Sequence, residues 1–146
     1  MKALIITALL LAGCQPANAL EQLPPEHVVT LVLLGEARNQ TPQGMAAVAQ
    51  VILNRARERD MSVKAVCLQP SQFSCLNVIS RRSEAILAES RAMTIQAQCL
   101  AAFICHNVDV MPNFRHNHYH TLNVSPYWSK QGRNKTIIGD HVFMEL

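Results

Sequence analysis

The sequence predicts a mainly α protein, α+β in detail: a helical body closed by a small C-terminal β hairpin or sheet. Three observations predict it. Apolar residues recur at helical spacing in three long segments. Proline, threonine or serine precedes each of them in N-capping positions. Two β-prone runs flank Gly139-Asp140 near the C-terminus, a hairpin signal.

The elements follow in order. Pro24-Pro25 open the first helix, proline being tolerated in a first turn. Val28, Leu31, Val32, Leu34 and Ala37 give it a broad apolar face, and Asn39-Gln40 end it. Thr41 caps the second helix, with Pro42 at its first position. Met45, Val48, Val51, Ile52 and Arg55 carry its period to about Arg59, and Ala46, Ala47 and Ala49 favour close packing. Ser62 caps a short turn through Val66, and 68–77 reads as a loop. A third long helix starts near Ser83, with Glu84 favourable to the dipole, and runs through Ile86, Leu87, Met93, Ala97, Leu100 and Ile104. Residues 106–118 are polar and contain Pro112, so they read as loop.

The chain has 146 residues, 49% of them hydrophobic and 16% charged, a globular composition of single-domain size. The first 19 residues have the form of a secretory signal: Lys2, then a short apolar run too short to span a bilayer. Two processing patterns compete. Leu11-Ala12-Gly13-Cys14 resembles a bacterial lipobox, which would leave Cys14 lipidated. Ala17-Asn18-Ala19 fits ordinary signal cleavage. The lipobox is the stronger pattern, and Gln15 after it resembles outer-membrane sorting. The expectation is an exported, periplasmic protein, held at the outer membrane if Cys14 is modified and soluble otherwise. A tether to residue 23 leads into one domain over 24–146.

Loss of Lys2 leaves 12 basic against 10 acidic residues, 12 − 10 = +2. That balance gives no dense basic face for nucleic acid. It is compatible with an anionic polymer. Cys67, Cys75, Cys99 and Cys105 are even in number, and in an oxidising compartment two disulfides are expected, of open connectivity. The alternatives are buried thiols, or a four-cysteine zinc site, disfavoured because no CxxC pair occurs.

In LVLLGEARNQ, Glu36 stands directly behind an apolar run. One reading is an exposed glutamate paired with Arg38 or Arg55. The other is a carboxyl lining an apolar cleft, where burial disfavours the charged form and suits it to donate a proton. Gly35 beside it would let a bulky group approach the backbone. Periodicity alone does not separate the two.

Four segments, in order, carry a family resemblance. GEARNQTPQGMAAVAQVILNR, residues 35–55, resembles the opening of the SleB/CwlJ-type cell-wall hydrolase domain, in which E-A-R is followed by G-x-x-A-V-A-x-V-x-L-N-R. Gln69-Pro70-Ser71-Gln72-Phe73-Ser74 resembles its Q-P-x-Q-F-S segment. His118-Tyr119-His120 resembles its T-H-Y-H segment, with Asn117 where threonine is usual. Ser125-Pro126-Tyr127-Trp128 and Ile138-Gly139-Asp140-His141-Val142-Phe143 resemble its closing run. The resemblance spans about residues 27–144.

It implies a lysozyme-like fold related to lytic transglycosylases, peptidoglycan as substrate, and Glu36 as the catalytic acid. It implies cleavage of the β-1,4 bond between N-acetylmuramic acid and N-acetylglucosamine, without a cofactor or metal. By the same resemblance Gln72, Ser74, His118 and Tyr119 line the cleft. Phe73 is a candidate wall for a sugar ring, a core role being the alternative. Trp128 reads as a core anchor of the C-terminal hairpin rather than a sugar platform.

Most glycosidases use two carboxylates. The other acids here form no evident pair with Glu36, so a single acid that later acts as base is expected, with plain muramidase hydrolysis as the alternative. His116, His118 and His120 would share one strand face, which raises a rival: a zinc-dependent amidase or peptidase with Glu36 as base. No HExxH motif supports it. A non-catalytic wall-binding lipoprotein is a third possibility. No heptad or apolar stripe demands a partner copy, so a monomer is expected.

Overall fold

A computed structural model describes residues 20–76 and 91–146. The expected export segment, including Cys14, and the expected start of the third long helix at Ser83 lie outside the described residues. What is described is a helical body with a three-stranded antiparallel sheet at its C-terminal end.

Helix α1 (Pro25–Ala37) is buried over most of its circumference: Val28, Val29, Thr30, Leu31, Val32, Leu33, Leu34 and Ala37 are all inside. A helix apolar on all sides is stable only when surrounded. Here α2 (Pro42–Glu58), α3 (Val63–Leu68) and α4 (Arg91–Cys105) pack against it. Ahead of α1, residues 20–22, the end of the expected tether, are helical. Lys64 Nζ pins that segment by donating to the carbonyls of Glu21 (2.6 Å) and Leu23 (2.7 Å).

The capping expectations at Thr41 and Ser62 hold. Thr41 Oγ1 accepts from Gly44 N–H at 3.1 Å and opens α2 with Pro42 in its first turn. Ser62 Oγ accepts from Ala65 N–H at 3.1 Å, and α3 continues to Leu68, past the expected Val66. Helix α4 ends at Cys105 and buries Ala97, Ala101 and Ile104. Among the described residues no helix is long and apolar enough to cross a membrane.

Strands β2 (Arg133–Ile138) and β3 (His141–Glu145) form the expected hairpin around Gly139-Asp140. Strand β1 (His118–Thr121) adds on the far side of β3, in the order β1-β3-β2. The register pairs Tyr119 with Phe143 and Thr121 with His141. Alternation therefore sends Tyr119, His141 and Phe143 to one face, towards the helices. His118 and His120 go to the other, where Trp128, in a 3-10 helix over Tyr127–Gln131, lies against both rings at 5.5 and 5.7 Å. Trp128 is half-exposed there, not the core anchor expected.

Two polar devices fix the sheet to the helices. Gln40 reaches the hairpin turn: its Oε1 accepts from Asp140 N–H at 3.0 Å. Gly139 has φ +58°, and a Cβ there would stand 2.4 Å from Gln40 Oε1, so the turn admits only glycine without rearrangement. On α2, Gln50 is 1% exposed. It donates to Asp109 Oδ1 (2.7 Å) and accepts from Val110 N–H (2.9 Å) and Met111 N–H (3.0 Å). One turn on, Asn54 Nδ2 donates to the carbonyls of Phe114 (2.8 Å) and His116 (2.9 Å). The polar loop before β1 is thereby held along one face of α2.

The expected disulfides are absent: Cys67, Cys75, Cys99 and Cys105 are free thiols. Cys67 is buried in the core, Cys99 points to solvent, and Cys75 faces a carboxyl group.

Candidate active site

Glu36 lies in the last turn of α1, half-buried at the end of the apolar run. The helix cannot turn it away without exposing Leu33 and Leu34, which are buried. Tyr119, on the helix-facing side of β1, donates from its hydroxyl to Glu36 Oε2 at 2.9 Å. Burial, and then the neighbouring Glu36 charge and this bond, raise the phenol well above its ordinary range, so it remains a neutral donor. Burial, followed by the nearby Glu36 charge, raises the Cys75 thiol well above its ordinary range.

His141 completes this face. It is 3% exposed, its ring meets Tyr119 edge-on at 5.1 Å, and it feels the charge of Glu36. Burial lowers its basicity, partly offset by Glu36 and Asp140. Its Nδ1 is buried and has no partner among the described residues.

Arg55, on α2, is buried and spans the site. Its Nε donates to the Asn117 carbonyl at 2.6 Å, its Nη1 donates to Gln72 Oε1 at 3.3 Å, and its guanidinium lies 5.8 Å from the Phe73 ring centroid. Arg59 Nη1 donates to the same Gln72 oxygen at 3.2 Å. The turn 69–76 is thus tied to the arginines of α2. It sets Gln72 at the surface of the site, Phe73 in the core at 4% exposure, Ser74 in solvent and Cys75 against Glu36. Phe73 therefore supports Arg55 from below instead of walling a groove.

His118 is half-buried on the outer face of β1. Its Nδ1 lies 2.9 Å from Asn117 Oδ1, which also accepts from Leu146 N–H. The imidazole is therefore the donor in that pair, which leaves Nε2 as a hydrogen-bond acceptor. Burial, with Arg55 and Arg59 nearby, lowers its pKa from 6.5 to about 4, so the ring is neutral at working pH.

Of the residues expected from sequence, Glu36, Tyr119, Gln72 and His118 are linked through Arg55 and β1. Ser74 flanks them, and Phe73 lies beneath. The three histidines do not gather. His116 stacks on Phe114 at 4.3 Å and bonds the Asn134 carbonyl at 2.6 Å, away from the Trp128 side where His118 and His120 lie. Among the described residues no three His, Cys, Asp or Glu side chains converge as a metal's ligands would.

Sequence reasoning missed Arg55, Cys75 and His141 as members of the site. A signal existed for the first: Arg55 continues the buried period of α2, where a charge must be satisfied by specific partners. For the other two, only the fold brings them to Glu36.

A half-buried carboxyl held by a neutral phenol donor, beside amide, guanidinium and imidazole groups, is equipped for general acid–base chemistry on a hydroxyl-rich substrate. The family profile described as Cell Wall Hydrolase matches residues 39–144, and the chain belongs to that family. It is an enzyme that acts on the peptidoglycan wall. Glu36 stands just ahead of the matched segment, and Gln72, Cys75, His118, Tyr119 and His141 lie within it. Comparison with curated proteins and with solved structures gave no match.

Proposed function

We propose that the enzyme cleaves the β-1,4 bond between N-acetylmuramic acid and N-acetylglucosamine as a lytic transglycosylase, with Glu36 as acid and then base. The observation that carries this reading is the Tyr119–Glu36 bond: it fixes one carboxyl at the edge of the core, next to groups suited to bind a sugar. In the first step Glu36 protonates the departing glycosidic oxygen while the muramic acid N-acetyl oxygen attacks C1, an exception to the two-carboxylate pattern. In the second, the Glu36 carboxylate takes the proton of the same sugar's 6-hydroxyl, and that oxygen displaces the acetamido oxygen at C1. A 1,6-anhydro end results, and no water is consumed.

Among the described residues, the surroundings support a single working acid. Glu58 and Asp140 border the site through Arg55 and His141, but both are engaged elsewhere. Glu58 receives the Asn117 amide at 3.1 Å, and Asp140 is held by Gln40. Gln72 and the His118 Nε2 are suited to acetamido and hydroxyl groups, with Ser74 at the rim. The zinc-amidase rival loses its support in the separation of His116 from His118 and His120.

Digestion of purified sacculi, followed by mass spectrometry, tests the reading. A transglycosylase leaves anhydro-muropeptides, a muramidase reducing ends, an amidase free peptides, and a pure binder nothing. Glu36→Gln should abolish release in a protein that stays folded, and undiminished turnover by that variant refutes the assignment.

Export and anchoring belong to the same proposal. The lipobox reading makes Cys14 the lipidated N-terminus of an outer-membrane, periplasm-facing monomer, with cleavage after Ala19 as the soluble alternative. Incorporation of labelled fatty acid that is lost in Cys14→Ala supports the anchor, and its absence in the parent excludes it.

A further inference from the structure

The outer face of the sheet carries an aromatic group that the proposed reaction leaves unused. Trp128, the chain's single tryptophan, lies against His118 and His120 with ring centroids 5.5 and 5.7 Å away, and it remains half-exposed. Both imidazoles are held: His118 Nδ1 donates to Asn117 Oδ1 and His120 Nδ1 to the Thr121 carbonyl, each at 2.9 Å. The 3-10 helix that carries the indole is seated on the sheet, with Ser129 buried and Gly132 so close to Met144 that a Cβ would clash. The ring is therefore positioned before any ligand arrives. Its indole N–H has no acceptor among the described residues. Next to it, Tyr127 is 79% exposed, with Lys130 Nζ 5.6 Å from its ring centroid. Residues 127–138 hold Lys130, Arg133 and Lys135 and no acid.

Strand β1 ends the sheet on this side, and its successive residues face opposite ways. Tyr119 reaches Glu36 on one face, and His118 meets Trp128 on the other. A polymer that passes round this edge can touch both.

We propose that Trp128, flanked by Tyr127 and Lys130, is a second saccharide-binding platform, which holds the glycan strand on the outer side of β1, away from the bond being cut. This rests on peptidoglycan as the substrate and not on Glu36 as the acid. A flat, half-exposed indole suits the apolar face of a pyranose, with its N–H free for a hydroxyl. The cations of 127–138 suit the carboxylates of wall peptides. Aromatic and basic side chains also meet lipid headgroups. Continuity with the site through His118 favours the glycan.

Because the indole is unique, its fluorescence reports this surface. Soluble, uncrosslinked glycan strands bearing stem peptides, titrated into the parent in the cold to slow turnover, should change the emission saturably. Trp128→Ala should raise the Kd for purified sacculi in co-sedimentation about tenfold, and Tyr127→Ala about threefold. Trp128→Phe, which keeps a ring, should lose less. If Trp128→Ala does not fold, the parent's emission and the exposed Tyr127 decide. Emission unmoved by strands that the enzyme digests overturns the proposal, as does parent-like binding by folded Trp128→Ala or by Tyr127→Ala. A response to phosphatidylglycerol vesicles and not to strands also overturns it, and marks a lipid surface. Both readouts measure binding, so failure of the Glu36 assignment, read by fragment release, is distinguished from failure here.

Discussion

The Tyr119 hydroxyl donates to Glu36 Oε2 across 2.9 Å, joining β1 to α1 over 83 residues of sequence. The carboxyl is thus placed by two independent elements: an apolar helix that cannot rotate, and a strand whose register is set by β3. Replacing Tyr119 by phenylalanine keeps the ring contacts with His141 and Phe143 and removes only the donor. Hydrogen bonds to a charged partner contribute about 1.5–3 kcal/mol, so Tyr119→Phe should lower kcat about tenfold to a hundredfold. The same bond stabilises the fold, so the melting temperature should also fall, by about several degrees. Steady-state release of muropeptides, with a thermal melt on the same preparation, checks this.

Gln50 is the anchor of the loop that delivers β1. Gln50→Ala leaves the Val110 and Met111 amides without their acceptor and Asp109 without the Gln50 amide. Unsatisfied buried donors cost about 1–3 kcal/mol each, and a destabilisation of about 2–4 kcal/mol is expected. Gln50→Leu fills the volume without supplying the acceptor, so it should recover little. Urea denaturation gives both values, and full recovery in the leucine variant would show that Gln50 acts by packing.

Much of this fold was legible in the sequence, and the legible parts share a cause. Thr41-Pro42, Ser62 and Gly139-Asp140 act through their nearest neighbours, so local chemistry predicts them. Glu36 was legible as a candidate because an acid behind LVLL is unusual whatever lies across from it. The remainder depends on which elements meet. Cys75 and His141 reach Glu36 only once β1 pairs with β3 and the 69–76 turn docks on α2. The disulfide expectation failed for the same reason. Cysteine parity and an export-like N-terminus can be read along the chain, whereas bridging depends on pairwise geometry. The histidine triplet shows a third limit: period two puts residues on one face only inside a strand, and His116 precedes the first strand residue, His118.

The thiol arrangement yields its own test. Of the four cysteines in the described residues, only Cys99 is exposed. With a thiol reagent in native buffer, Cys99 should react at once. Cys67, Cys75 and Cys105, all pushed up by burial and Cys105 to about 11, should lag by orders of magnitude. In denaturant all four should react without prior reduction. Two sites that label only after reductant would restore a disulfide and overturn the free-thiol state.

His118 should write a pH dependence into stability. Its imidazole takes up a proton near 6.5 in the unfolded chain, but only near about 4 in the folded one, because burial and the Arg55 and Arg59 charges oppose it. Between those values the unfolded state binds more protons, so stability falls as the pH drops from about 6.5 to about 4 and is fully present above 6.5. His141 is also depressed and acts in the same direction, so removing one imidazole reduces the slope without abolishing it. His118→Asn keeps a donor for Asn117 Oδ1 and cannot titrate. Above pH 6.5 it should be less stable than the parent, and the difference should shrink as the pH falls towards 4. Melting temperatures of both proteins across that range measure it. A constant difference would mean that His118 is protonated alike in the folded and unfolded chains.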